Sequence, residues 1–473
     1  MLLEHQRSVW ATLRDAVRGA PIDYTTAPVG RAVIMLAVPM VIEMAMESIF
    51  AVADVFWVAH LGADAVATVG LTESMMTLIY TAAMGLSIGA TALVARRTGE
   101  HDAEGASRAA GQSILLGLGA AAVIAALGSP NADPLLRVMG APASVVESGG
   151  TFTRIMLGGN ATVLLLFLMN AVFRGAGDAA IAMRVLILGN VLNIVLGPCF
   201  IFGLGPLPEM GVTGAAVATN IGRGTAVLVQ IVTLVRGRGR VGVGLRHLRL
   251  DMPTMRSVLR LSGTGTFQIL VGTASYIGLV RIVSLFGSSA VAGYTIGIRV
   301  ILLAILPAYG VANAAATMVG QNLGAGSPDR AERAVWTAAR YNMGLFAFAA
   351  AIFLIFAHPI AAIFTTDPAV QPAAVACLRI VGAGLPFYAC GMVLTQSFNG
   401  AGDTWTPTLG EHRPLLGLRA AGGLVALDAH AARHARRVRG ACGQLLRGRP
   451  RGCAAVPARH VEDAHGVRHP PNG

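Results

Sequence analysis

Apolar residues in this chain come in long unbroken runs, without the alternation of a half-buried strand or the narrow stripe of a surface helix. Ten windows of about 20 mostly apolar residues, the length that crosses a bilayer as a helix, begin near residues 31, 66, 108, 148, 181, 213, 257, 289, 336 and 374. This pattern predicts an all-α polytopic membrane protein. The stretch before Arg31 is too long and too charged for a cleaved signal peptide and reads as an amphipathic helix on the membrane surface or as a solvated extension. Basic residues orient the spans, because positively charged loops stay cytoplasmic. Arg96, Arg97 and Arg108 follow the second span, Arg236, Arg238, Arg240, Arg246 and Arg249 follow the sixth, and Arg7, Arg14, Arg18 and Arg31 precede the first. The opposite loops are short and nearly free of Arg, so the N-terminus is expected on the cytoplasmic side of an inner membrane.

The runs repeat. At an offset of 225 residues, the separation of Gly99 from Gly324, the segment from Gly62 to Ala110 has 13 identities in 49 ungapped positions. The same offset sets Pro134 on Pro359, Arg154 on Arg379, and FRGAGD (Phe173–Asp178) on FNGAGD (Phe398–Asp403). Two copies of six spans each enter from the same side, so they form two lobes related by a pseudo-twofold axis along the membrane normal, with a cavity between them that can open to either face. The expected divisions are an N-terminal cytoplasmic or amphipathic segment over 1–30, an N-lobe over 31–240, a C-lobe over 241–409 and a tail over 410–473.

The tail changes the reading of the composition. The net charge of +12 suggests nucleic-acid binding, yet 410–473 holds 11 Arg against 4 acids, leaving +5 for the body, biased to its loops. No nucleic-acid partner is expected. The offset places spans 11 and 12 over 406–429 and 438–461, where the chain has Arg433, Arg436, Arg437, Arg439, Arg447 and Arg449 among others. Each central Arg costs ~2.5 kcal/mol or more on insertion, so these windows do not enter a membrane as written. Moving the reading frame forward one base turns CGN arginine codons into codons for Val, Ala, Gly, Asp or Glu, which makes Arg-rich sequence apolar. A one-base frameshift near Leu409, natural or from sequencing, therefore accounts for the tail, and the last two helices are lost or misread. The competing reading is a real basic tail.

Ionisable residues inside spans are costly and mark function or pairing. Span 1 carries Glu43, Glu47 and Asp54, which at 100° per residue fall on one helical face. Such a stripe suits cation or proton binding. Glu43 and Glu47 can instead pair with Arg154 or Arg184, and Glu73 in span 2 is a gate or pairing acid. Pro39 precedes the stripe by one turn and permits a kink. Met40, Met44, Met46, Met75, Met76 and Phe50 offer adaptable contacts for a small organic substrate. The C-lobe counterparts of Glu43 and Asp54 are Gln268 and Leu279, which puts ion coupling in the N-lobe.

Read together and in order, AVPMVIEMAMESIFAVADVFWVAHLGADAVATVGL, GLSIGATALVARRTGEHD, FRGAGDAAIAM, NIVLGPCFIFGLG, GVTGAAVAT, GQNLGAGSPDRAER and FNGAGDTWTPT resemble the multidrug and toxic compound extrusion (MATE) family over roughly 31–409. The resemblance implies twelve helices in two lobes, a monomer in the bilayer, no enzymatic activity, and export of organic, often cationic, compounds against Na+ or H+ as the coupling ion, with no other cofactor. It also implies an N-lobe cation site of Asp54, Asn193 and Thr219. The family's second span-5 Asp falls on Gly197, so either Glu43 or Glu47 compensates or protons alone couple. A lipid-linked precursor flippase of the same superfamily is an alternative that calls for a basic cavity, and a product inactive without its last helices is another. GAGD at Gly175, Gly177 and Asp178, and again at Gly400, Gly402 and Asp403, resembles the signature of intramembrane aspartyl proteases, which need two carboxyls sharing a proton. A turn with Gly at unusual dihedrals and Asp capping the next helix explains it better. Nucleotide sequencing across the codon for Leu409 is expected to reveal one base gained or lost, with apolar spans restored downstream; an intact frame encoding 410–473 as printed contradicts the frameshift.

Overall fold

The structure, a computed structural model, describes residues 9–408; the tail and the frameshift lie outside the described residues. The described chain is helical: α1 Val9–Arg18, α2 Val29–Ala59, α3 Ala63–Gly99, α4 Ala103–Gly128, α5 Ala132–Val138, α6 Ala143–Gly158, α7 Asn160–Ala176, α8 Ala179–Phe202, α9 Val212–Val235, α10 Met252–Val283, α11 Ser288–Gly324, α12 Pro328–Ile355, α13 Ala357–Phe364 and α14 Gln371–Gly400. Among the described residues, ten stretches are long and apolar enough to span a membrane, with α6 and α7 forming one span. Each begins one to eight residues before the window read from hydropathy, because polar first turns such as Asp329 and Arg330 are already helical at the membrane surface. Helix α2 runs unbroken through Pro39. Helix α1 is amphipathic, with Ala16 buried and Trp10 exposed, and Asp15 ties it to Arg31 of α2 at 3.4 Å.

The repeat is present to the residue. Helices α3 and α11 begin and end 225 residues apart, and the left-handed turns recur at Gly62 and Gly287, at His101 and Gly326, and at Gly177 and Gly402. Contacts between lobes obey the same symmetry. A Cβ on Gly99 would overlap the Gln321 carbonyl, and one on Gly324 would overlap that of Arg96, the counterpart of Gln321. Likewise a Cβ on Gly85 would lie 2.8 Å from the Thr266 backbone nitrogen, and one on its counterpart Gly310 would lie 2.5 Å from that of Val41, the counterpart of Thr266. These four glycines let helix backbones touch across the pseudo-twofold axis, as small residues do in membrane interiors.

Apolar packing shows where the lobes join. One buried cluster unites the first half of α2 with the second half of α11 and with α12 and α14. The other buried clusters keep to a single lobe, except that Val241 and Val243 of the connection between the lobes pack on the N-lobe. At the far end Ile49, Val52, Val55 and Phe56 of α2 and Tyr276, Ile277, Leu279 and Ile282 of α10 are exposed. The lobes thus meet at the Arg-rich end and part beyond it. Polar contacts close the same end. Thr317 Oγ1 donates to the Arg174 carbonyl at 3.1 Å, Gln321 Nε2 to the Gly175 carbonyl at 2.9 Å, and Arg330 to the carbonyls of Tyr24 and Ala27. Leucine at Gly310 is expected to destabilise the protein by about 1–3 kcal/mol through overpacking, and leucine at Gly85 by a similar amount. Thermal unfolding in detergent checks this, and an unshifted curve for both variants contradicts the axis contact.

Candidate functional site

The acidic face of α2 points into the N-lobe, where the side chains are fixed by close helix crossings. Helices α8 and α9 cross at Gly189 and Gly222, and a Cβ on Gly222 would lie 2.6 Å from the Gly189 carbonyl. This approach lets Asn193 Nδ2 donate to Thr219 Oγ1 at 2.8 Å. One turn further along α9, Arg223 reaches Glu47 Oε1 at 3.5 Å and the Tyr80 hydroxyl at 3.2 Å, and its guanidinium lies 5.2 Å from the Phe50 ring centroid. Asn190 Nδ2 donates to the other oxygen of Glu47 at 3.2 Å. Glu47 is thereby held by both neighbouring helices.

A second buried pair lies one turn earlier on α2. Arg174 Nη1 donates to Glu43 Oε1 at 2.9 Å and Asn170 Nδ2 donates to the same atom at 3.0 Å, with side-chain exposure of 10% for Arg174 and 1% for Glu43. Gln230 of α9 in turn donates to Asn170 Oδ1. Glu43 Oε2 is buried without a hydrogen-bond partner among the described residues. Arg174 ends α7, and its own carbonyl is one that the C-lobe grips.

The expected partners Arg154 and Arg184 are not used. Arg154 pairs with Asp133 at 3.3 Å, and Arg184 Nε turns back to the Ala180 carbonyl. The adjacent helices α7 and α9 supply the arginines instead. Glu43 is engaged through Oε1 by Arg174, and a Cβ added to Gly197 would meet only Trp57 Cδ1 at 3.8 Å. Asp54 is half-buried and makes no hydrogen bond among the described residues, though Arg223 is within electrostatic reach. Glu73 is exposed yet close to Arg223, Asp54 and Glu47, so it lines an opening beside the buried pair. Met40 and Met76 are wholly buried in separate cores and Phe50 lies under Arg223, so these three pack the protein and do not line a cavity. On the C-lobe side Gln268 is buried and Leu279 exposed.

Asn170, Arg174, Asn190, Arg223, Gln230 and Tyr80 were not singled out by sequence. A lone Arg within the apolar span VTGAAVATNIGRGTAVLVQ carries the same cost as the acids of span 1 and is the signal for Arg223. Arg174 lies inside the FRGAGD motif, where its side chain was overshadowed by the turn.

The two GAGD motifs differ. Gly177 and Gly402 both have positive φ, at 91° and 81°. Asp403 accepts from the Thr406 amide at 3.1 Å and from its hydroxyl at 2.6 Å, as a helix cap does. Asp178 makes no such cap bond; its carboxylate takes the Arg240 amide at 2.6 Å and faces the Arg240 side chain at 3.6 Å. Burial raises the Asp178 carboxyl above its usual range, against the Arg240 amide and charge that lower it. Arg240 also covers the Tyr24 ring at 5.0 Å. Burial pushes the Tyr24 phenol up to about 12, so it stays neutral and donates to the Gly177 carbonyl. The two aspartates are engaged separately and do not form a proton-sharing dyad.

With this geometry in hand, similarity to known proteins is specific. The MatE family model matches residues 39–199 and 266–409, well over half the chain. A Thermotoga maritima protein named "Probable multidrug resistance protein NorM" is 27% identical over 382 residues, covering 80% of this chain and 82% of its own. A Shewanella oneidensis FAD transporter is 26% identical over 350 residues, covering 73% and 76%. Among solved structures, a MATE crystal structure in the straight conformation superposes with a TM-score of 0.82 at 26% identity, covering 90% of this chain and 98% of that one. A MOP superfamily transporter from Pyrococcus furiosus gives 0.80 at 27% identity, with the same coverage.

Removing one member of a buried ion pair costs about 3–5 kcal/mol, whereas replacing both by apolar groups is near neutral. Arg174→Met alone is therefore expected to lower thermal stability in detergent strongly, and Arg174→Met with Glu43→Met to restore most of it. Equal melting curves for the single variant and the wild type contradict the pair.

Proposed function

This chain belongs to the MatE family, and from that premise we propose that it is an ion-coupled antiporter, driven by H+ or Na+, that exports organic, often cationic, drugs or metabolites across the cytoplasmic membrane by alternating access. The observation that carries the reading is the arrangement of the lobes: joined at the Arg-rich end, apart at the other, with an asymmetric charged site in the N-lobe beside the opening. With the Arg-rich loops on the cytoplasmic side, this is the outward-open form. Asp54 is the coupling group, because it faces the site and no hydrogen bond commits it. Loading or releasing a cation there changes the charge beside the fixed Glu47–Arg223 pair, and such a change biases a two-state lobe by its different affinity in each form.

Export of multidrug substrates is supported by the similarity to the Thermotoga protein over most of both chains. A flippase of lipid-linked precursors would want a basic cleft, whereas Glu47, Asp54 and Glu73 here surround one arginine. In everted membrane vesicles, Asp54→Asn is expected to lower gradient-driven drug transport at least tenfold while the protein still inserts and elutes as a single species. Wild-type rates from that variant reject the assignment.

A further inference from the structure

The N-lobe site does not fit the sodium ion that its family resemblance implies. A hard cation needs several oxygen ligands converging on one point. Of the four positions expected to provide them, Gly197 has no side chain, and the nearest atom to its missing Cβ is a carbon of Trp57 at 3.8 Å. Asn193 presents its Nδ2 to Thr219 Oγ1, so a donor group and an engaged hydroxyl occupy the interval between α8 and α9. Asp54 is the one carboxylate left. A permanent cation is already there: Arg223 lies one turn from Thr219 on the same face of α9, with 6% side-chain exposure.

We infer that Arg223 is a tethered cation that takes the place of a coupling metal ion in the N-lobe, so that this chain neither binds nor needs Na+ there. Every group facing the guanidinium suits the role. Glu47 of α2 supplies the counter-charge, the Tyr80 hydroxyl of α3 a hydrogen bond, the rings of Phe50 and Tyr80 a negative π-face at 5.2 and 5.8 Å, and Asp54 and Glu73 further negative charge within electrostatic reach. Asn190 orients Glu47 from α8. A guanidinium cannot be deprotonated at any pH the protein meets, so its charge does not leave the site. The Arg223 charge alone, at ~6 Å and an effective dielectric of about 20, opposes a second cation by roughly two decades of affinity, and Glu47, spent in its pair with Arg223, does not offset it. The inference deepens the antiporter reading and rests on it for the site's purpose, but its test does not require transport.

The test is binding of 22Na+ to the purified full-length protein in detergent, with K+ keeping the ionic strength constant. Wild type and Arg223→Lys, which keeps a fixed positive charge, are expected to show no saturable binding. The variant combining Arg223→Gln with Gly197→Asp, which removes the tethered cation and adds the missing carboxylate, is expected to bind 22Na+ saturably, where wild type does not. Should that variant fail to fold, Gly197→Asp alone decides: with Arg223 still present it is expected to stay at the wild-type level. Saturable 22Na+ binding by wild type overturns the inference, as does a gain by Gly197→Asp alone, or a folded double variant with none. In proteoliposomes, replacing Na+ by K+ on both sides is expected to change wild-type efflux less than twofold, and a tenfold fall overturns the inference. Absence of efflux in every salt would instead count against the antiporter reading and leave the binding result standing.

Discussion

A charge carried into the middle of a bilayer has to meet an opposite charge or open space, and the N-lobe is organised around that constraint. Two acids of α2 have an arginine from another helix: the enclosed Glu43 has Arg174 of α7, and the half-buried Glu47 has Arg223 of α9. The acid without such a partner, Asp54, lies further along the same face, toward the end where the lobes separate. In the low dielectric of the interior an unpaired charge costs far more than an exposed one, so these pairs tie α2 to α7 and α9, which lie beyond the helices α8 and α11 packed directly against it. The same chemistry reaches the lobe junction. Arg174 holds Glu43 with its side chain while its carbonyl, and that of Gly175, are held by Thr317 and Gln321 of the C-lobe. The helix end that satisfies a buried acid is thus also one at which the two lobes are joined.

Duplication makes the scaffold symmetric and divergence makes it directional. The backbone contacts at Gly85, Gly99, Gly310 and Gly324 repeat across the axis almost atom for atom. The chemistry does not: where the N-lobe has Glu43 and Asp54, the C-lobe has Gln268 and Leu279. The acidic groups of the first span thus have no counterpart in the C-lobe.

Much of this was legible in the sequence because it depends on local runs and on repetition. Ten spans follow from apolar length, and the offset of 225 foretells helix ends, left-handed turns and the pairing of interface glycines. The acidic face of α2 follows from helical period alone. Partner choice did not follow, since Arg154 and Arg184 are as basic as Arg174 and Arg223, and only the three-dimensional order of helices separates them. The two GAGD motifs illustrate the same limit. Identical letters suggest identical caps, but Arg240 of the long sixth-to-seventh connection captures Asp178, while Asp403 caps its own helix through Thr406.

Under the proposed antiport, the charged state of the N-lobe sets how far apart the lobes stand at their open end. Spin labels at Ala63 and Ser288, the exposed and repeat-related first residues of α3 and α11, measure that separation directly by pulsed electron–electron resonance in lipid, with the native cysteines removed. Two distances are expected, open and closed, whose proportions shift when pH is changed and cease to shift in Asp54→Asn. A single distance that responds to neither would contradict it.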